Sequence, residues 1–172
     1  MIRNRPQLVL VAGTKDSGKT TYLDQCCKMM RGKGNTVGGL LSLASWQNGQ
    51  KYFYEIQNID NGQKRILASQ EPCTSFSLQY GPYFFDPISF NWGNEILCSS
   101  IDKDVIIFDE FGPIESKGGG FFPEFEFLLK RFTGIFYVSV RTSLIIKVKE
   151  LVNDISTDTC LDIKQINVSG ET

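Results

Sequence analysis

The chain has 172 residues, 18 of them basic and 19 acidic, with a formal net charge of −1. Its length fits one domain, predicted here as residues 1–172, and its hydrophobic (41%) and charged (22%) fractions are those of a soluble globular protein. The near-neutral charge indicates neither a nucleic-acid nor a membrane partner, and the absence of histidine excludes histidine nucleophile pairs, bases and metal sites.

Cysteine usage bears on the cellular compartment. The five cysteines contain no Cys-x-x-Cys pair, and they are Cys26, Cys27, Cys73, Cys98 and Cys160. An odd number of cysteines without an export signal predicts reduced thiols and a cytoplasmic location. The apolar run near the N-terminus is shorter than a signal-peptide core or a membrane span of roughly 20 residues.

The first half of the chain predicts a strand, a helix and a meander. Residues 7–13 (QLVLVAG) form an apolar run typical of a buried strand, and residues 18–31 repeat apolar side chains at helical spacing. Residues 37–67 contain three short strand patterns separated by the turn signals QNGQ and DNGQ. This pattern predicts a small antiparallel meander inserted after the first helix.

The second half predicts strands alternating with helices. Residues 73–86 are expected to be loop-like, with a short strand in PYFFD, before a helix at 87–99 that Asp86 caps. The remaining elements are a strand at 103–110, a breaker-rich loop at 111–120, a helix at 122–132, a strand at 134–140, a helix at 143–154 and an edge strand at 160–169. The alternation predicts an α/β fold with a mostly parallel sheet between two helical layers.

A phosphate-binding pattern joins the first strand to the first helix. The segment GTKDSGKT, from Gly13 to Thr20, fits GxxxxGK[ST], whose glycines let successive backbone N–H groups point at phosphate oxygens. The loop ends at a helix N-terminus, which favours an anion. Lys19 is predicted to reach the β- and γ-phosphates, and the Thr20 hydroxyl to bind Mg²⁺. The predicted nucleotide-binding residues are Gly13, Thr14, Lys15, Asp16, Ser17, Gly18, Lys19, Thr20 and Thr21.

A pair of acids ends the predicted strand VIIFDE. Because ligands bind beyond the carboxyl ends of strands in open α/β sheets, Asp109 and Glu110 are expected at the same edge as the phosphate loop. Asp109 is predicted to bind Mg²⁺, directly or through water, and Glu110 to orient a water for attack on the γ-phosphorus. A carboxylate in that position favours hydrolysis over phosphoryl transfer.

Two further features have alternative interpretations. Arg141 follows an apolar strand, and its guanidinium either binds the γ-phosphate or pairs on the surface. An aromatic set either stacks on a nucleobase or packs in the core. Its members are Tyr80, Tyr83, Phe84, Phe85, Phe90 and Trp92.

Four segments together resemble the cancer-related/thermophile nucleoside-triphosphatase family of the P-loop superfamily. They are GTKDSGKTT, the meander segments GGLLS, GQKYFYEI and NGQKRILAS, then GPYFFD, and finally VIIFDEFGPIE with the helix that follows. The phosphate loop marks only the superfamily, whereas DEFGPIE combined with the glycine-led meander is more specific.

The resemblance implies a RecA-like fold and Mg²⁺-dependent hydrolysis of ATP, GTP or other nucleoside triphosphates with little base selectivity. It implies Asp109 as the metal-side acid, Glu110 as the water activator and Glu115 as a further acidic position. Many relatives carry lysines where this chain has Pro82 and Pro113, and an arginine where it has Lys51. These departures bear on how the transition-state charge is neutralised.

Three functions therefore remain open. The first is a nucleoside-triphosphatase in which Lys19 and Glu110 are catalytic. The second is a kinase for a small acceptor, although the chain has only five scattered arginines where such enzymes use an arginine-rich lid and an acceptor pocket. The third is a nucleotide-dependent binding module with little turnover that serves a protein partner.

Overall fold

The computed structural model describes residues 6–72, 75–157 and 161–170. The strands are β1 (Gln7–Gly13), β2 (Val37–Gln47), β3 (Gln50–Asn58), β4 (Lys64–Ser69), β5 (Leu78–Tyr80), β6 (Tyr83–Phe85), β7 (Val105–Phe111), β8 (Ile135–Arg141) and β9 (Asp162–Asn167). The helices are α1 (Lys19–Gly32), α2 (Pro87–Ser99), α3 (Phe122–Arg131) and α4 (Ile145–Ile155), with short 3₁₀ turns at Ser100–Asp102, Glu115–Lys117 and Thr142–Leu144.

Within these ranges the strands form one mixed sheet in the order β5-β6-β4-β3-β2-β7-β8-β1-β9. From β2 to β9 the neighbours pair in parallel, and from β2 to β5 they pair antiparallel. The antiparallel strands thus continue the parallel sheet beyond β2 in the same layer. Since parallel strands share a direction, the carboxyl ends of β1, β7 and β8 lie at one edge.

Helices cover both faces of the parallel strands, which explains their unbroken apolar sequences. On one face Val9 and Val11 of β1 pack with Leu23 and Cys27 of α1. On the other face Leu8 and Leu10 belong to a core that also contains buried side chains of α2, α3 and α4. The parallel strands are therefore packed between two helical layers, and the fold is α/β.

Most predicted elements lie within two residues of the observed ones, and one expectation was wrong. Residues 78–80 were expected in a loop but form β5, which pairs only with β6 among the described strands. A three-residue strand is too short to show a period-2 pattern in the sequence. Pro82 lies in the turn between these two strands.

The structure also bears on the cysteines and on whether a helix could cross a membrane. Cys26 and Cys27 are buried free thiols, and Cys98 is an exposed free thiol. Cys73 and Cys160, with the beginning of the predicted last strand, lie outside the described residues. Among the helices that the structure describes, none has the length and hydropathy needed to cross a bilayer.

Gly39 allows β2 to pair closely with β7. Its φ of 108° lies in a region that other residues rarely adopt, and a Cβ at this position would overlap the carbonyl oxygen of Ile107. Any side chain at position 39 would therefore have to push β2 away from β7.

We predict that Gly39→Ala lowers the free energy of unfolding by more than about 3 kcal/mol, because it combines backbone strain with overpacking. The matched control is Gly32→Ala in α1, where a Cβ meets nothing within 4 Å. Alanine in that helix is expected to be neutral or mildly stabilising. Thermal unfolding followed by circular dichroism measures both changes. Melting of both variants at the wild-type temperature would contradict the prediction.

Candidate active site

The segment between β1 and α1 folds tightly back on itself. A Cβ on Gly13 would lie 2.7 Å from the carbonyl oxygen of Val168, so this position has no room for a side chain. Asp16 (φ 62°) and Gly18 (φ 88°) take left-handed conformations, and α1 begins at Lys19. Such turns direct successive N–H groups to the inside of the loop, which makes an anion-binding concavity at a helix N-terminus.

Lys19 and Thr20 project from the first turn of α1. The Lys19 amine donates hydrogen bonds to the carbonyl oxygens of Gly13 (3.2 Å) and Thr14 (2.5 Å), which ties the side chain back over the loop. Partial burial lowers the pKa of Lys19, although Glu110 and Asp109 oppose this effect. The Thr20 hydroxyl donates to the carbonyl oxygen of Ser42 on β2 (3.3 Å), which joins α1 to the middle of the sheet.

Asp109 is a buried carboxylate near the end of β7. Its Oδ1 accepts a hydrogen bond from the Ser139 hydroxyl (2.6 Å), and its Oδ2 accepts one from the backbone N–H of Ser42 (3.0 Å). Burial raises the pKa of Asp109 to about 6, although these bonds and the nearby Thr20 hydroxyl oppose the effect. The carboxylate is therefore fixed by β2 and β8 together.

Glu110 interrupts the regular ladder between β7 and β8. Its φ is 76°, and the pairing register shifts between Phe108 and Phe111. The Glu110 N–H donates to the Ser139 hydroxyl (2.7 Å) in place of a ladder carbonyl, and its carboxylate accepts from Arg141 (2.8 Å). A non-glycine residue in this conformation is strained, and strain of this kind concentrates at functional sites.

The loop and the two acids lie around one cleft of about 330 Å³. Its lining includes residues 15–21, Asp109, Glu110 and Arg141. The structure thus brings together most of the predicted site residues, while Gly13 and Thr14 form the base of the loop through their backbones. Inward N–H groups, an ammonium, a guanidinium and two carboxylates suit a phosphate-bearing ligand accompanied by a cation.

Glu115 lies apart from this cleft. Its two carboxylate oxygens accept the backbone N–H groups of Gly112 (3.0 Å) and Phe121 (3.2 Å), so the side chain bridges the two ends of the glycine-rich loop. Burial raises its pKa from 4.5 to about 7. The predicted further acidic position therefore holds the loop after β7 and borders a second cavity, described below.

Sequence reasoning assigned no role to two serines of this site. Ser139 is fully buried in β8 and bonds both acids, and Ser42 contacts Asp109 and Thr20 through its backbone. The signal for Ser139 is one hydroxyl inside the apolar run GIFYVSV. A lone polar residue in a buried strand needs a hydrogen-bond partner, which points to a nearby polar group.

The β2–β3 hairpin also lines the cleft, and its lining residues include Trp46, Lys51 and Tyr54. The Lys51 amine forms an ion pair with Asp16 of the loop and lies near the faces of the Trp46 and Tyr54 rings. Lys51, noted above only as a departure from the family pattern, is thus a cation that contacts the loop directly.

These observations define a phosphate-binding loop opposite an acidic strand end in an α/β sheet. A family model described as NTPase matches residues 8–169, and the chain belongs to that family. The resemblance drawn from the sequence motifs is thereby confirmed.

Curated relatives are named nucleoside-triphosphatase THEP1. The protein from Methanothermobacter thermautotrophicus is 28% identical over 118 residues, which cover 66% of this chain and 64% of the relative. The one from Caldivirga maquilingensis is 28% identical over 115 residues, which cover 67% and 64%. This chain therefore spans slightly less than two thirds of the length of these relatives.

Two solved structures share the fold. The solution structure of a human cancer-related nucleoside triphosphatase has a TM-score of 0.64 and 19% identity, covering 93% of this chain and 88% of the other. The crystal structure of THEP1 from the hyperthermophile Aquifex aeolicus has a TM-score of 0.61 and 18% identity, covering 94% and 90%.

We predict that Ser139→Ala lowers the free energy of unfolding by about 1–3 kcal/mol, because the Glu110 N–H and the buried Asp109 carboxylate lose their shared partner. Urea unfolding measures this change. Ser99→Ala is the control, because this exposed hydroxyl donates to the carbonyl oxygen of Ile96 within its own helix. Equal stability of the Ser139 variant and the wild type would show that this hydroxyl does not hold the strand end.

The raised pKa values predict how stability depends on pH. Glu115 has a higher pKa in the folded chain than in the unfolded chain. At pH values between these two pKa values, its carboxyl group therefore binds more protons in the folded chain. The contribution of Glu115 to the free energy of unfolding is complete below pH 4.5 and is lost as the pH rises through about 7. Asp109 acts in the same direction through about pH 6.

We therefore expect the free energy of unfolding to fall between about pH 5 and about pH 8, and to fall less in Glu115→Gln. Urea titrations at each pH give the two slopes. A slope that this substitution leaves unaltered would contradict the role assigned to burial of Glu115.

Proposed function

We propose that the chain is a Mg²⁺-dependent nucleoside-triphosphate hydrolase that releases phosphate with broad base tolerance. The observation that carries this proposal is that Lys19 and Thr20 of the glycine-rich loop share one cleft with Asp109 and Glu110 of β7. A triphosphate bound to the loop N–H groups would direct its last phosphate toward these acids. The NTPase family match and the names of the curated relatives support the same activity.

The donor set of the cleft fits magnesium. Thr20 and Asp109 offer a hydroxyl and a carboxylate oxygen on the same side of the cleft, within hydrogen-bonding reach of each other. Mg²⁺ is usually held by one or two protein oxygens together with phosphate oxygens and water. The bound ion would neutralise charge on the β- and γ-phosphates.

Lys19 is proposed to bind the terminal phosphates. Its amine donates to the carbonyl oxygens of Gly13 and Thr14, so it lies against the loop that would hold the phosphates. Two acids in the cleft favour the charged amine against the effect of partial burial. A charged amine in a water-poor cleft stabilises the charge that develops in the transition state.

Glu110 is proposed to orient the attacking water. Its left-handed backbone turns the residue away from the strand ladder, and Arg141 holds one carboxylate oxygen at 2.8 Å. The water oxygen would bond to the γ-phosphorus as the bond to the bridging oxygen breaks, and Glu110 would accept the hydrogen bond from the water. Arg141, which lies beside Glu110, would stabilise the negative charge of the γ-phosphate.

Broad base tolerance is supported by the lining of the cleft. Its exposed aromatic side chain is Trp46, which is 59% accessible and offers a flat ring face. Stacking on such a face accepts any base, because each base has an aromatic surface. We further propose a single nucleotide-binding domain of the RecA-like type in which β3–β6 are an insertion, and a cytoplasmic location that suits the free thiols of Cys26, Cys27 and Cys98.

We predict that Glu110→Gln reduces phosphate release by about 10²–10³-fold, because glutamine does not orient and polarise the water as a carboxylate does. Lys19→Ala is expected to weaken both nucleotide binding and turnover. The measurement is phosphate release from ATP, GTP, CTP and UTP, with and without Mg²⁺, combined with calorimetric nucleotide binding.

The matched control is Glu126→Gln, which neutralises an exposed glutamate paired with Lys130 on α3. This control should hydrolyse nucleotides like the wild type. Unaltered phosphate release in Glu110→Gln would remove the mechanism, and release that does not require a divalent cation would remove the magnesium site.

A further inference from the structure

A second cavity adjoins the nucleotide cleft on the far side of Glu110. Its volume is about 110 Å³. Five residues line both spaces, and they are Ser42, Tyr54, Asp109, Glu110 and Arg141. The two spaces are therefore adjacent, and the Glu110–Arg141 ion pair lies between them.

Away from this wall the cavity is apolar and aromatic. Phe85 and Phe90 are stacked at 5.7 Å, and the Tyr83 ring lies edge-on to Tyr54 at 5.1 Å. Ile56 and Leu67 also line the cavity. Surfaces of this kind bind the flat or apolar body of a small molecule, and a few polar groups then fix its orientation.

The polar groups are concentrated at the end that faces the nucleotide cleft. Glu110 and Arg141 are each about one third exposed there. Glu115 also borders the cavity, but both of its oxygens already accept backbone N–H groups. A molecule in the cavity would therefore direct a polar substituent toward Glu110, where the proposed function positions the attacking water.

The β5–β6 hairpin supplies part of the cover. Tyr80 and Tyr83 come from this hairpin, and the Tyr83 hydroxyl donates to the carbonyl oxygen of Lys51 (3.2 Å) on β3. The cavity thus lies between the edge of the sheet and the loop that follows β7. The cavity is formed by segments distant from one another in the chain, so no local sequence pattern reveals it.

We infer that this cavity binds a small alcohol with one apolar ring, and that its hydroxyl replaces water as the acceptor of the γ-phosphoryl group. The inference rests on the proposed hydrolase function. An apolar cavity of about 150 Å³ is known to bind benzene. This cavity is smaller, about 110 Å³, so it limits the ligand to one ring, whose hydroxyl-bearing arm would extend out of the cavity toward Glu110.

The proposed phosphoryl transfer forms one bond, breaks one bond and moves one proton. The acceptor oxygen bonds to the γ-phosphorus, and the bond from that phosphorus to the β–γ bridging oxygen breaks. Glu110 accepts the hydroxyl proton, and the electron pair of the broken bond leaves on the nucleoside diphosphate. The products are a phosphate monoester and a nucleoside diphosphate.

The test incubates the full chain with ATP, Mg²⁺ and benzyl alcohol, and follows benzyl phosphate by ³¹P NMR. Glycerol, a hydroxyl compound without a ring, and toluene, a ring without a hydroxyl, are the matched probes. We expect benzyl phosphate from benzyl alcohol, no glycerol phosphate, and competition by toluene. No benzyl phosphate while free phosphate is released, or binding of benzyl alcohol without ester, overturns the inference and leaves the proposed hydrolase intact.

Other outcomes separate the two proposals. Benzyl phosphate formed by a chain that releases no phosphate from ATP alone supports the inference and contradicts hydrolysis as the function. Neither product, in a chain that is folded and binds ATP, contradicts both.

Variants test whether the cavity is the acceptor site. Tyr83→Ala and the rim variant Tyr80→Ala should raise the KM for benzyl alcohol about tenfold by removing one aromatic wall. Tyr52→Ala is the control, because this β3 side chain lines neither space. Circular-dichroism melts verify folding, and Tyr80 is exposed enough that its removal spares the core. An unaltered KM in both folded variants overturns the inference.

Discussion

The hydroxyl of Ser139 is hydrogen-bonded to two successive residues of β7, and the direction of both site acids depends on it. It accepts from the N–H of Glu110 and donates to the carboxylate of Asp109, in a part of β8 that is fully buried. The bond substitutes for the ladder contact that Glu110 loses by adopting a φ of 76°. Because an unpaired N–H or carboxylate costs free energy in such surroundings, the strained turn and the buried acid stabilise each other's position.

The parallel sheet explains why so few residues suffice to build the site. β8 pairs with β1 on one side and with β7 on the other, so Gly13 lies beside Arg141 and the end of β7 follows one strand further on. The strand register thus brings the glycine-rich loop, the arginine and the acids to one edge of the sheet. β2 then contributes the backbone of Ser42, which contacts Asp109 on one side and Thr20 on the other.

The parts of the site that obey local rules were predictable from the sequence. The glycine-rich loop, the acids after VIIF and the capped helix α2 each combine residues that lie within one segment. The roles of Ser139 and Arg141 depend on strands that meet only in the folded chain, so no local pattern specifies them. Likewise β5 is too short to show periodicity. The aromatic set was open between stacking on a nucleobase and packing in the core, and no local pattern indicates that four of its members, Tyr80, Tyr83, Phe85 and Phe90, line one cavity. Glu115 was noticed as an acid, but its bonds to backbone N–H groups are a property of the folded loop.

The ion pair between Lys51 and Asp16 connects two regions that the fold builds separately. Lys51 belongs to the hairpin that starts the antiparallel half of the sheet, and Asp16 belongs to the turn before α1. The lysine side chain is only 13% accessible, so bulk solvent weakens this link less than it weakens an ordinary surface pair. The hairpin is consequently held against the glycine-rich loop by an ion pair. Separating the two would leave the largely buried ammonium group of Lys51 without its counter-ion.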